Sequence, residues 1–97
     1  MATDTKAQKI PKEKVDQCDF PPEEVLTDPQ AIAERRKMLE RATSMGNTDN
    51  TKFKIRFQDD QGVKEVETTI WATGDKNISL KHGKAIPIHR IREVRIV

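Results

Sequence analysis

The residues best suited to catalysis or metal binding are His82, His89, Cys18 and the acidic side chains Asp59, Asp60, Glu65 and Glu67. A zinc site needs three or four thiolate, imidazole or carboxylate ligands at recurrent spacings. Cys18 is the only cysteine, and His82 and His89 are not at a helical ligand spacing. A turn at Gly83 would bring the two histidines together, but without a third ligand. All four glycines are isolated, so no phosphate-cradling loop is present. The serines and threonines lack a recognisable general base nearby, and the acidic pair beside Gly62 reads as a solvated turn. The sequence points away from an enzyme and calls for no cofactor and no metal.

Binding chemistry is better represented. Trp71, the sole tryptophan, falls on a strand with polar neighbours, where an indole can stack on a base or a proline ring. Lys54, Arg56, Lys81, Lys84, Arg90 and Arg92 supply positive charge for phosphate contacts, and His89 suits a backbone hydrogen bond at a turn. Residues 1–50 carry 8 Lys/Arg against 10 Asp/Glu, a net of −2, whereas residues 51–97 carry 10 against 6, a net of +4. Such asymmetry permits nucleic-acid binding without requiring it. The chain has one Trp and three Phe, two of them on a core-facing strand, so it lacks the aromatic interleaving of a single-strand platform.

These side chains depend on a short series of elements. Residues 1–20 mix Lys, Asp, Pro and Gln around isolated Ile10, Val15 and Phe20 without a sustained period, and read as a disordered arm. Residues 21–50 form a helix and a linker. Phe20-Pro21-Pro22 begins the order, with Phe20 pinned against the domain. Thr27 or Asp28 caps the helix, Pro29 suits its first turn and Gly46 its stop. Ala31, Ile32, Met38, Leu39, Ala42 and Met45 share a stripe of about 140°, with Arg35 inside it. Asn47 to Thr51 is a linker. Residues 51–97 read as a small β-barrel. Its strands are Lys52 to Gln58, Val63 to Ala72, Asn77 to Lys81, one holding Ile86 and Ile88, and Val94 to Val97. Strict alternation places Trp71 on the outer face with Glu65 and Glu67.

The end of the chain, AIPIHRIREVRIV, carries the fold signal. Ile86 and Ile88 are two apart, Ile91 and Val94 follow at intervals of three, and Ile96 restores two. Spacing by two belongs to a strand and by three to a tight turn. The pattern therefore predicts strand, one 3₁₀ turn and a short closing strand, as in SH3-like barrels. The expected fold is mostly β: a five-stranded antiparallel SH3-like barrel, preceded by one amphipathic α-helix and a disordered arm. So short a barrel has a marginal core, which the helix would cover.

Two resemblances rest on these residues. Ile86-Pro87-Ile88-His89-Arg90-Ile91 resembles the I-P-x-H-R-I signature near the end of the RNA cyclic-group end recognition domain, which is associated with RNA repair. The family's earlier motifs have no counterpart here, so the resemblance implies only that His89 and Arg90 contact phosphate. The stretch Phe53 to Ile96 is similar in architecture to the small Sm-like and WYL-type barrels of bacterial regulators, and the whole chain looks like a short bacterial protein of that kind.

At 97 residues the chain holds one domain at most. It has no apolar run long enough to cross a membrane and no secretory signal. With a single cysteine, the expectation is a cytoplasmic protein that does not bind membranes. The expected function is a non-catalytic binding module with a protein partner. RNA or DNA binding through the basic C-terminal half is the alternative. The candidate surface is Trp71, Lys54, Arg56, Lys81, Lys84, His89, Arg90 and Arg92. The oligomeric state is left open, since free edge strands can pair between copies.

Overall fold

Phe53, Ile55 and Phe57 alternate with Lys54, Arg56 and Gln58, and the strand they form is the centre of the larger of two sheets. The computed structural model describes residues 7–97, apart from the side chain of His82. In chain order the strands are β1 (Gln8–Lys9), β2 (Phe53–Asp59), β3 (Gly62–Thr68), β4 (Ile70–Thr73), β5 (Asn77–Leu80), β6 (Ala85–Pro87) and β7 (Ile91–Ile96). The helix α1 (Pro29–Asp49) precedes β2, and 3₁₀ turns occupy Lys12–Gln17, Lys81–Gly83 and Ile88–Arg90. One sheet has the order β1-β3-β2-β7 and the other β4-β5-β6; only β1 pairs in parallel.

The fold is mostly β with one helix, as expected, but the closed five-stranded barrel is not formed. Among the described residues, seven short strands make two open sheets. The strand expected over Val63 to Ala72 divides at Thr69. Thr68, Thr69 and Ile70 are all buried in succession, which strict alternation forbids. There the chain passes from one sheet to the other, and the Thr69 carbonyl accepts from Lys81 N at 3.1 Å.

The expected C-terminal 3₁₀ turn forms at Ile88–Arg90 and takes in Ile88, so the fourth expected strand ends at Pro87 instead of holding Ile88. The closing strand starts earlier than expected, at Ile91. The two intervals of three have different causes. Ile88 to Ile91 is the 3₁₀ turn, whereas Ile91 to Val94 spans a β-bulge. Phe57 pairs with Ile91 and Arg56 with Glu93, leaving Arg92 as the extra residue.

The two openings between the sheets are closed by other elements. On one side α1 packs against β4 and β7. Its Asp28 side chain caps Gln30 N at 3.0 Å, Pro29 is in the first turn, and Arg35, Leu39, Ala42 and Gly46 form the buried face. Gly46 does not stop the helix, which runs on to Asp49 and ends at Asn50 in the left-handed conformation (φ 55°). Gly46 is a contact residue: a Cβ there would press into the Ile70 carbonyl oxygen and lie 3.0 Å from Thr69 Cγ2.

On the other side lies the segment expected to be a disordered arm. Its residues 1–6 are outside those described. Residues 8–20 depart from the expectation. β1 pairs with β3, Ile10 N donates to Glu65 O at 2.9 Å, and the Lys12–Gln17 turn touches both β3 and β6. Val15 is fully buried, and the Phe20 ring, pinned as expected, sits 5.7 Å from that of Phe57. These apolar residues have no period because the segment is neither a continuous strand nor a continuous helix.

Helix propensity favours alanine over glycine by about 1 kcal/mol. Here Gly46→Ala is expected to destabilise by about 1–3 kcal/mol, because the methyl must displace β4 backbone. Denaturant unfolding that found the variant as stable as wild type, or more so, would remove this account of the helix–β4 contact.

Candidate interaction surface

The eight candidate residues do not form one patch. Lys54 and Arg56 project from the outer face of β2: Lys54 pairs in register with Glu67 on one side and Arg95 on the other, Arg56 with Glu65 and Glu93. Arg56 Nε donates to Glu65 Oε1 at 3.0 Å. Arg92 lies at the bulge in β7, its Nη1 donating to Gln58 Oε1 at 3.1 Å. Lys81 belongs to the 3₁₀ turn after β5 and Lys84 precedes β6.

Three of the basic residues hold the N-terminal half in place. Lys84 is ion-paired with Asp16. His89 Nε2 donates to Pro21 O at 3.0 Å, and its carbonyl accepts from Val25 N at 3.0 Å. His89 thus makes the kind of backbone contact its position suggested, but to a distant segment. Arg90 is buried. Its Nε donates to Gln58 O at 2.8 Å and its Nη1 to Glu23 O at 2.6 Å. Arg90 and His89 are therefore committed to backbone carbonyls rather than presented as free phosphate contacts.

Trp71 is the exception. In the β4–β5 ladder Ile70 pairs with Leu80 and Ala72 with Ser79, so Trp71 is the extra residue of a bulge. A bulge re-aims a side chain, and the indole is 51% exposed. Phe53 and Phe57, by contrast, are fully buried.

Two ionic clusters escaped the sequence reading. Arg35, visible only as a charge inside an apolar stripe, donates to both Glu24 oxygens at 2.6 and 2.7 Å and to Ile91 O at 3.0 Å. The Arg35 hydrogen bonds hold the Glu24 carboxyl below its ordinary 4.5, against the opposing effect of burial. The second cluster joins Asp59, Lys64 and Cys18. Asp59 accepts from Gln61 N, Gly62 N and, at 2.5 Å, Lys64 Nζ. Burial pushes the Asp59 carboxyl up, but these donors together hold it below its ordinary 3.8, and Lys64 is raised in turn by the same bond. Burial, together with the adjacent Asp59 carboxylate, pushes the Cys18 thiol up despite Lys64. Cys18 is therefore protonated at neutral pH and a poor nucleophile.

Among the described residues no group of three or more His, Cys, Asp or Glu is arranged to hold a metal ion, and no helix is long and apolar enough to cross a membrane. A cleft of about 540 Å³ lies between α1, the β4–β5 turn and the 3₁₀ turn at Ile88–Arg90. It is bordered by Glu24, Arg35 and His89, which are already engaged with each other's segments. No protein-family model, curated protein or solved structure matches the chain.

Two outcomes are expected. Arg90→Ala leaves two carbonyls without their donor and should cost about 1–3 kcal/mol of stability; an unfolding curve superimposable on wild type would contradict a structural Arg90. Glu24 and Asp59 have folded-state values below their unfolded ones, so their contribution is complete above the unfolded values and disappears as pH falls through the folded ones. Melting temperature should be level from neutral pH down to about 5 and then fall. Glu24→Gln should make that fall shallower, and a variant as acid-sensitive as wild type would remove Glu24 from the explanation.

Proposed function

We propose that this chain is a non-catalytic module that binds another protein through Trp71. The observation that carries the proposal is a half-exposed indole at a bulge on a short strand, backed by α1 on one side and β5 on the other. Trp is the residue most enriched among those that dominate binding energy, because it buries a large rigid surface at low entropic cost. The scaffold beneath it is firm, with Ile70, Ile78 and Leu80 all buried.

The charges support this reading over nucleic-acid binding. Arg56, Lys84, His89 and Arg90 are engaged within the molecule, and Lys54 faces Glu67 across the ladder. Lys84 is paired with Asp16 of the N-terminal half, and His89 and Arg90 donate to its backbone carbonyls. A phosphate-tracking groove needs unpaired cations along one path.

The test compares wild type with Trp71→Ala as immobilised baits, with and without nuclease, followed by titration of the purified captured protein. The substitution should leave the chain folded, at a cost of about 1–3 kcal/mol for the half of the indole that is buried. It should weaken partner binding by at least about 30-fold, the effect of a central aromatic anchor. The partner should shift the wild-type Trp71 emission to shorter wavelength on binding. Equal affinity for both chains, or retention abolished by nuclease, would overturn the proposal; the second result would favour RNA or DNA.

A further inference from the structure

β7 is the outermost strand of the larger sheet, and one of its edges is paired only with β2. Val97 N donates to Lys52 O at 3.3 Å. Backbone groups alternate sides along a strand, so Arg95 and Glu93 also turn theirs toward β2, and Val94 and Ile96 turn theirs outward. Among the described residues nothing bonds those outward groups. α1 meets the start of β7, where Arg35 Nη1 donates to Ile91 O, and packs further along against β4. The groove between helix and edge, about 240 Å³, has Ala31, Met38 and Val94 in its wall. At its open end Ile96 and Val97 are 53% and 60% exposed. Together with Trp71 these are the exposed large hydrophobic side chains among the described residues, and they lie on a different strand from it.

We propose that β7 is the site of self-association: two copies of this chain pair their β7 strands antiparallel about a twofold axis through Val94. The occupant is identified by the charges of the strand itself. With Val94 opposite Val94 of the second copy, Glu93 lies opposite Arg95 of the second copy, and Arg95 opposite its Glu93. Opposite charges directly across a ladder stabilise it and like charges oppose it. The neighbouring registers fail this requirement: an axis through Arg95 sets Arg95 against itself, and one through Glu93 sets Glu93 against itself. The bulge at Arg92 ends this regular facing, so the matched stretch runs from Glu93 to Arg95 on each copy. Within the single chain Arg95 and Glu93 bond each other at 2.6 Å as an exposed pair two residues apart. Such a pair contributes little and exchanges readily for the pair across the axis. The result is one continuous eight-stranded sheet with the two α1 helices side by side beneath it. Such a contact is isologous, and it closes the assembly at two copies. It leaves β4 free and does not rest on the role given to Trp71.

The experiment is sedimentation equilibrium of the full chain and of charge-swapped variants, each checked for folding by circular dichroism. Wild type should approach twice the chain mass at NMR concentrations, and the Val94 and Ile96 amides should become protected from exchange as the dimer forms. Glu93→Arg alone and Arg95→Glu alone should each sediment as monomers, since each places like charges across the axis. Mixed together, the two variants should form a heterodimer. One chain then carries arginine at both positions flanking Val94 and the other carries glutamate at both, so every facing pair is of opposite charge. A wild-type monomer at NMR concentrations would overturn the proposal. Dimers that persist in both single variants, or single variants that stay monomeric when mixed, would also overturn it.

Discussion

Arg35 joins three parts of the chain that are distant in sequence. From the buried face of α1 its guanidinium grips both oxygens of Glu24 and the Ile91 carbonyl at the start of β7. A buried cation is costly unless paired and hydrogen-bonded. Here Glu24 supplies the charge and Ile91 the second acceptor, while Nε is left without a partner among the described residues. The consequence is architectural. Two open sheets this small leave their shared core exposed on both sides, and α1 closes one side only if held at both β4 and β7. Gly46 sets its approach to β4, and Arg35 sets its position against β7. Removing Glu24 would leave the buried Arg35 guanidinium unanswered, a larger loss than an exposed ion pair implies.

The same logic explains where the charge asymmetry goes. The basic C-terminal half captures the acidic N-terminal half through Lys84 with Asp16, Arg90 with Glu23 O and His89 with Pro21 O. Most of these bonds end on backbone carbonyls, so they fix the path of an extended segment that has few apolar anchors of its own. Charge that looked available for a phosphate backbone is instead the means by which residues 8–25 are ordered. The cations left without such bonds are spread over several elements rather than gathered in one field.

The parts of this fold legible in sequence are those governed by local rules. The alternation in β2, the Asp28-Pro29 helix start and the 3₁₀ turn at Ile88–Arg90 each follow from spacing or capping chemistry within a few residues. The parts that are not legible depend on distant partners. Gly46 resembles a helix stop until the Ile70 carbonyl is known to lie against it. Thr68-Thr69-Ile70 continues a strand by propensity, and only the second sheet explains why all three are buried. Arg90 has the composition of a phosphate contact, and nothing in the local sequence announces that Gln58 and Glu23 carbonyls will claim it. Alternation points Trp71 outward, and it does face solvent, although the bulge means that alternation is not the whole cause.

An open two-sheet body must also manage its edges. β1 is two residues long, β6 three and β4 four, and β4 and β6 are abutted by α1 and the N-terminal 3₁₀ turn respectively. Shortness and coverage are the usual protections against edge pairing. β7 has six residues; α1 bonds it at the Ile91 carbonyl, but the outward groups of Val94 and Ile96 have no partner among the described residues. Its bulge at Arg92 and its alternating Arg92, Glu93 and Arg95 discourage promiscuous pairing, because most registers with a foreign strand leave these charges unmatched. A strand whose charges reject most partners yet match its own antiparallel copy is selective, and in β7 the selectivity comes from the order Glu93-Val94-Arg95.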